Sequence, residues 1–330
     1  MNHSSSSTSN SEVTAETKKE LFDVRRLLKR MALFSVPFVV YVLLIFAVDP
    51  FNFLTSSSFV SDDVKRSTAF QLNPCVWKMA EFDKVPKDKI LLGDSRMQSL
   101  KSEDVKAVAN EDFYNFAYGG GTLREVIDTF YFASKRTELK KAIIGINLDT
   151  YNDYNITERT KLYPSFKENP TLYFVNKTVL QSAFTSAYSQ ITKTDMKIGK
   201  PNVDKETFWK HELNDVMGGY FQKYVYPVKY KKELEELAKY CKEKNIELAF
   251  VIFPTHVDTQ NLVKSHHLEK ENQQMRTDLS AIAKVYDFDY ENEVTTKKEN
   301  YDDPVHFTKP IQEQIIREIL SGQTKIAKTK

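Results

Sequence analysis

KILLGDSR, residues 89–96, decides how this chain is read. Ile90, Leu91 and Leu92 form an unbroken apolar run, which suits a strand buried on both faces, as in parallel sheets covered by helices. The run stops at Gly93-Asp94, a turn pair, and a helical pattern spanning 96–108 begins directly after Ser95. A serine at such a strand-to-helix turn lies at the carboxyl end of its strand, where open α/β sheets bind ligands. The unpaired N–H groups of the following turn favour negative charge there. Taken alone, the same tetrapeptide is also an ordinary helix cap, with Asp94 or Ser95 as the capping residue.

Four further apolar runs repeat the pattern: FYNFAY (113–118), KAIIGINL (141–148), IELAFVIF (246–253) and KVYDFD (284–289). Helical periodicity fills 122–135, 230–244 and 310–321 between or after them. Strands alternating with helices predict an α/β domain over residues 88–322, a three-layer α/β/α, flavodoxin-like arrangement around a parallel sheet of about five strands. Residues 149–229, rich in Tyr, Asn, Lys and Thr, break this rhythm. They read as a mostly helical insertion between the third and fourth strands, expected to form a wall of the cleft or a partner surface. Residues 323–330 read as a frayed tail.

The N-terminal part is different in kind. Residues 1–16 are rich in Ser and Thr and read as a disordered tail. A basic run follows, with Lys18, Lys19, Arg25, Arg26, Lys29 and Arg30, and then eighteen residues without a charge, Met31–Val48. A membrane-crossing helix needs roughly 17–25 apolar residues, and such a helix tolerates Pro37. Residues 31–48 are therefore expected to be an uncleaved signal anchor closed by Asp49, with residues 49–87 as a stalk. The cationic flank places residues 1–30 in the cytoplasm and residues 49–330 outside. A cleaved signal peptide is the competing reading, but IFAVDPF offers a poor cleavage site.

Composition excludes other classes. The chain carries 47 Lys and Arg against 45 Asp and Glu, and the surplus lies in residues 1–30. The remainder is neutral and offers no basic field for nucleic acid. With 9 glycines and 11 prolines it is neither collagenous nor largely disordered. Cys75 and Cys241 make no disulfide framework, although an extracytoplasmic location leaves a single bridge between them open. His266 and His267 stand in a charged run with no metal-ligand spacing around them. No cofactor or metal is implied.

Three more motifs bear on chemistry. Asp303-Pro-Val-His306 places a carboxylate three residues before a histidine, able to accept the ring Nδ1–H and leave Nε2 as a base for a serine. Asp302 is the alternative carboxylate. Asn115-Phe-Ala-Tyr-Gly119-Gly120-Gly121-Thr122 follows the second strand and offers backbone N–H groups for an oxyanion. It lacks the Lys-Ser/Thr ending and the GxGxxG pattern of phosphate loops. Asn147, ending the third strand in GINL, is a side-chain oxyanion donor by type, with Asn152 or Asn155 as alternatives. Arg96 beside the serine and His256 after the fourth strand are candidate cleft-lining residues, as is Asn152.

In this order the motifs resemble the SGNH (GDSL-like) hydrolase superfamily. That family carries a serine after the first strand, a glycine after the second, an asparagine after the third and a C-terminal Asp-x-x-His. The matching residues are Ser95 in GDSR, Gly119 or Gly120 in YGGGT, Asn147 in GINL, and Asp303 with His306 in DPVH. GDSR replaces GDSL, and the Asp that usually follows the asparagine is absent. The resemblance implies a catalytic triad of Ser95, Asp303 and His306. It also implies an oxyanion site of Ser95, Gly119 or Gly120, and Asn147. The single N-terminal helix, YDDPVHFTKP and IFPTH are similar to a membrane-anchored branch that works beside membrane-bound O-acyltransferases, in alginate and peptidoglycan O-acetylation and in D-alanyl transfer to lipoteichoic acid. That likeness implies acyl transfer to a cell-surface polysaccharide. An esterase on the same fold and a non-catalytic assembly component are the alternatives.

Overall fold

The computed structural model describes residues 8–54, 59–194 and 203–330, with side chains from residue 24 onward. The chain divides into two compact units. One is residues 1–69 with 173–196, and the other is residues 70–172 with 197–330.

In the first unit, helix α1 runs from Thr8 to Val48. It starts within the stretch expected to be a disordered tail, so residues 8–16 are helical. Once the long apolar segment has nucleated a helix, each added residue costs little. Val24–Val48 is long and apolar enough to cross a membrane. Its large side chains face outward: Leu33 is 74% exposed, Phe34 87% and Phe38 63%. An apolar surface of this kind suits lipid better than water. The helix stops at Asp49, which takes a left-handed φ of 38°. The buried Asp49 carboxylate accepts the Phe53 and Leu54 N–H groups and the Tyr173 hydroxyl at 2.8–3.0 Å. The helix Lys177–Thr192 packs on α1 and on the short helix Asp62–Ser67. Its buried face is built of small residues, Ser182, Ala183, Ser186 and Ala187, with Ser186 Oγ 2.7 Å from Thr68 Oγ1. The 149–229 insertion is thus shared between the two units rather than forming one block.

The second unit opens with α2, Pro74–Lys84, capped by Asn73. This helix lies in the expected stalk, yet Trp77 and Phe82 on it are buried. The core therefore begins near residue 70. Then come β1 (Lys89–Leu92), α3 (Ser95–Gln98), α4 (Ser102–Ala109), β2 (Tyr114–Asn115), α5 (Leu123–Ser134) and β3 (Lys141–Gly145). After the insertion follow α6 (Val228–Glu243), β4 (Glu247–Ile252), α7 (Val257–Ser265), α8 (Glu269–Ile282), β5 (Lys284–Asp287), α9 (Lys309–Ser321) and β6 (Lys328–Thr329).

The sheet order is β2-β1-β3-β4-β5-β6. The first five strands are parallel, and β6 pairs antiparallel to β5 at the edge. All five apolar runs are strands. Right-handed crossovers fix the layers. The step from β1 to β2 runs one way across the sheet and puts α4 on one face. The steps β2–β3, β3–β4 and β4–β5 run the other way and put α5, α6 and α8 on the opposite face. The contacts agree: α4 packs against α9, while α6 packs against α5 and α8. The C-terminal residues do not fray. Buried Glu318 accepts the N–H groups of Ile326 and Ala327 at 2.8–3.2 Å, which directs the chain into β6.

Cys75 and Cys241 are separate buried thiols. Burial raises both above the usual thiol range, Cys241 to about 12. Ellman's reagent should therefore find no reactive thiol in the native chain and two after unfolding without reductant. Absence of thiols in the unfolded, unreduced protein would establish a bridge instead.

Candidate active site

The site is built at the carboxyl ends of β1, β2 and β3, around the turn that follows β1. Gly93 has a φ of +150°, and a Cβ there would stand 2.9 Å from Met97 Cβ and 3.0 Å from Gly145 O. Only glycine lets the turn lie this close to β3. Asp94 caps α3 by accepting the Arg96 N–H at 2.9 Å. The single helix expected over 96–108 is two. The break falls at 99–101, where Asn115 Nδ2 donates to Met97 O and Leu100 O at 2.8 and 2.7 Å and takes over carbonyls a continuous helix would use.

Ser95 Oγ lies 2.7 Å from His306 Nε2. His306 Nδ1 lies 2.7 and 2.9 Å from the two Asp303 carboxylate oxygens. Asp303 Oδ1 also accepts the N–H groups of Val305 and His306 at 3.1 and 2.9 Å. Burial would raise the Asp303 carboxyl, but the bonds and charge of His306 and these two N–H groups hold it below its usual range. Asp302 is exposed and uses its backbone N–H on His306 O, so the carboxylate at the ring is that of Asp303.

The glycine loop is laid against the serine turn. Tyr118 N–H donates to Gly93 O at 3.1 Å. A Cβ on Gly121 would meet Gly93 O at 2.7 Å, so only glycine permits the approach. Gly120 has a left-handed φ of 61°. Ser95, Gly120, Gly121 and His306 border a cleft of about 220 Å3, joined by Asn155, Glu212 and Tyr220 from the insertion. Among the described residues, neither the Ser95 nor the Gly120 N–H has an acceptor within the chain.

Several expected cleft residues lie elsewhere. Asn147 Nδ2 donates to Phe253 O at 2.8 Å and its Oδ1 accepts the Phe253 N–H at 3.0 Å. This buried amide extends the β3–β4 pairing and is committed as an internal brace rather than as an oxyanion donor. Asn152 is likewise buried, bonded to Tyr220 O, Tyr154 N–H and Val225 N–H. Asn155 is the asparagine of this segment that borders the cleft. Gly119 does not border it. His256 caps α7 and packs edge-on against Trp209 and Tyr301, and it is absent from the cleft lining. Its backbone N–H donates to Pro304 O at 2.9 Å, bracing the Asp303 loop from behind. Burial, opposed by Asp258, lowers the tendency of its ring to protonate.

Arg96 borders the cleft but is 2% exposed, and its guanidinium is taken by protein carboxylates. It forks onto Asp94 and reaches Asp149 at 2.7 Å and Thr150 Oγ1 at 3.3 Å. Burial acts to raise both carboxyls. Arg96, with the Thr150 hydroxyl, overcomes it at Asp94, which is lowered, whereas at Asp149 burial and the neighbouring Asp94 charge outweigh Arg96 and the carboxyl stays raised. Asp149 had no motif of its own in the sequence, and neither did Glu212 or Tyr220.

No protein-family model matches the chain, and a search of curated proteins finds no match. Among solved structures, it is similar to a GDSL-like lipase from Bacteroides thetaiotaomicron, at 9% identity and TM-score 0.36, covering 74% of this chain and 94% of that one. A G-D-S-L-family lipolytic protein assignment from Desulfitobacterium hafniense aligns at 10% identity and TM-score 0.35, over 72% and 99% of the two chains. A protein assigned as an acylhydrolase from Bacteroides fragilis aligns at 8% identity and TM-score 0.37, over 72% and 88%.

Replacing Arg96 by Met should cost about 3–5 kcal/mol at neutral pH, because the buried Asp94 and the largely covered Asp149 lose their shared cation. Unpaired, both would carry pKa values raised above those of the unfolded chain, so the native variant holds protons that the unfolded one releases. Its stability then falls as pH rises, and the gap to wild type narrows as pH drops toward about 4. Urea unfolding of the detergent-solubilised chain across pH measures this. A gap independent of pH would contradict it.

Proposed function

We propose that this chain is a membrane-anchored SGNH-type serine acyltransferase that carries a short acyl group, through an acyl-serine, to a hydroxyl of a cell-surface polysaccharide. The observation that carries the reading is the continuous hydrogen-bonded line Asp303–His306–Ser95 beside the Gly120 N–H.

The chemistry follows from these atoms. Ser95 Oγ attacks the acyl carbonyl while His306 Nε2 takes its proton, and Asp303 stabilises the imidazolium. The carbonyl oxygen becomes an oxyanion that receives the N–H groups of Ser95 and Gly120. When the tetrahedral species collapses, the bond to the leaving alcohol breaks and Nε2–H protonates that oxygen. The acyl-serine is then attacked by an acceptor hydroxyl, which gives its proton to Nε2. Ser95 recovers a proton as it departs. Water in place of the acceptor makes the same protein an esterase. The cleft, about 220 Å3, lies below the usual size of sites for drug-sized ligands and suits an acetyl-sized group. Position beside a membrane-bound O-acyltransferase is part of the proposal. So is an orientation with residues 1–30 inside and the second unit outside, which rests on the cationic flank of the apolar span.

A fluorophosphonate should label the wild-type chain at Ser95, and Ser95→Ala should abolish both labelling and turnover of a small acetyl ester. Asp303→Asn should lower turnover on the order of 10³–10⁴-fold by presenting the wrong tautomer. Labelling that persists in Ser95→Ala would assign another nucleophile. A wild-type chain that neither labels nor turns over esters would leave the fold as a non-catalytic assembly component.

For topology, a periplasm-dependent phosphatase joined after Lys330 should be active in cells. A reporter that works only in the cytoplasm would reverse the orientation.

A further inference from the structure

Arg159 belongs to the insertion, and the glycine loop follows β2, so nothing in their sequence positions links them. In the structure they are joined closely. Arg159 Nη1 donates to Gly119 O at 3.0 Å and Nη2 to Gly120 O at 3.4 Å. The same guanidinium forks onto Glu125, with Nε to Oε1 at 2.8 Å and Nη2 to Oε2 at 2.7 Å. Glu125 is fully buried and is itself fixed. It forms a capping box with Thr122 at the start of α5, and its Oε1 accepts the Arg159 backbone N–H at 2.9 Å. Thr122 Oγ1 in turn donates to Thr157 O at 3.0 Å.

From this arrangement we infer that Arg159 is a positioning residue that keeps the Gly120 N–H turned into the cleft as an oxyanion donor. The inference rests on the acyl-serine reading above. Its geometric basis is the peptide plane. Gly119 C=O and Gly120 N–H belong to one trans peptide and point in opposite directions, and no cis bond occurs among the described residues. Gly119 does not border the cleft, and its carbonyl is held by Arg159. Gly120 does border the cleft and its N–H has no acceptor in the chain. Fixing the carbonyl therefore fixes the donor on the opposite edge of the plane.

Such a clamp is needed because Gly119, Gly120 and Gly121 form a run with little intrinsic preference. Nothing would meet a Cβ at Gly120, so packing does not hold that residue, and the Gly121 N–H to Tyr118 O bond at 2.8 Å closes the turn without fixing which way its central 119–120 peptide faces. If the 119–120 peptide turned over, it would present a carbonyl oxygen where the oxyanion forms. Substrate would still bind, but the negatively charged intermediate would be repelled. The loss therefore belongs to the transition state rather than to ground-state binding.

The test uses the full chain in detergent micelles with p-nitrophenyl acetate. Arg159→Ala should lower kcat by about 10- to 100-fold, less than or comparable to deleting a donor outright, with KM within about twofold of wild type. Arg159 is 29% exposed, so the space it vacates is open to small solutes. Guanidinium at tens of millimolar should restore several-fold of the loss, and sodium chloride at equal ionic strength should not. Arg159→Lys keeps the charge beside Glu125 but cannot fork across carbonyls and carboxylate together. It should fold with a near-native melting temperature and still show the kcat loss. The inference is overturned if Arg159→Lys retains wild-type kcat, if the deficit lies in KM alone, or if guanidinium restores nothing. A wild-type chain that fails to label at Ser95 instead overturns the acyl-serine reading, and this inference falls with it.

Discussion

The Arg96 guanidinium ties together two loops that the sheet topology drives apart. The chain leaves β1 toward β2 and leaves β3 toward β4, in opposite directions across the sheet. Their carboxyl ends therefore open a crevice between them, the usual ligand position in doubly wound sheets. Asp94 follows β1 and Asp149 follows β3, and Arg96 holds both. Two buried charges and a third largely covered one are a costly way to join two loops if stability were the only requirement, because apolar residues of similar volume often serve as well or better. What the cluster adds is direction. Forked hydrogen bonds fix angles that apolar packing leaves loose, and the residue they orient against β3 is the neighbour of Ser95.

His306 is fixed in a different manner. It sits on a tight turn closed by the Asp302 N–H to His306 O bond and by the bridge between Tyr301 and Phe307. Behind that turn, the His256 N–H and Thr259 Oγ1 both reach Pro304 O. Asp303 then needs no long reach, since it accepts two backbone N–H groups of its own turn and the ring in one place. Thus the serine is oriented by side-chain charge, the histidine by backbone, and the Gly120 N–H by a guanidinium from the insertion. Each group is held by a partner outside the Ser95–His306 contact, an arrangement that fixes it without help from a ligand.

The parts legible in the sequence are those with a local signature. Five apolar runs gave five parallel strands. Thr122, with Glu125 three residues on, is a capping box that can be read without a structure. GDSR and DPVH are short local motifs, and the structure brings their Ser95, His306 and Asp303 side chains within hydrogen-bonding distance of one another. Asn147 is of a type that fits two roles, and it is the Phe253 backbone, brought close across β3 and β4, that takes its amide. The end of β4 is the right place for a ligand, but the His256 ring there packs against Trp209 and Tyr301. Asp149 and Arg159 matter through partners far away in sequence, and composition contains no trace of such pairings. The anchor of the last residues, Glu318, lies inside a helix and looks like a surface charge until its carboxylate is seen to face the N–H groups of Ile326 and Ala327.

Assembly of the site follows the same division. Ser95 and His306 are 211 residues apart, and their approach requires β1, β3, β4 and β5 to be in register and the loop after β5 to be braced. Arg159 cannot meet Gly119 until the insertion has folded against α5. Pairings of this separation form late, because the entropy of closing the intervening chain is lost before they return anything. The short turns that carry Asp94 and Asp303 therefore form as local structures that by themselves do no chemistry. The Ser95–His306 contact exists only once the sheet and the C-terminal turn coexist, so the hydrogen bond that joins them is a product of the assembled second unit rather than of either motif alone.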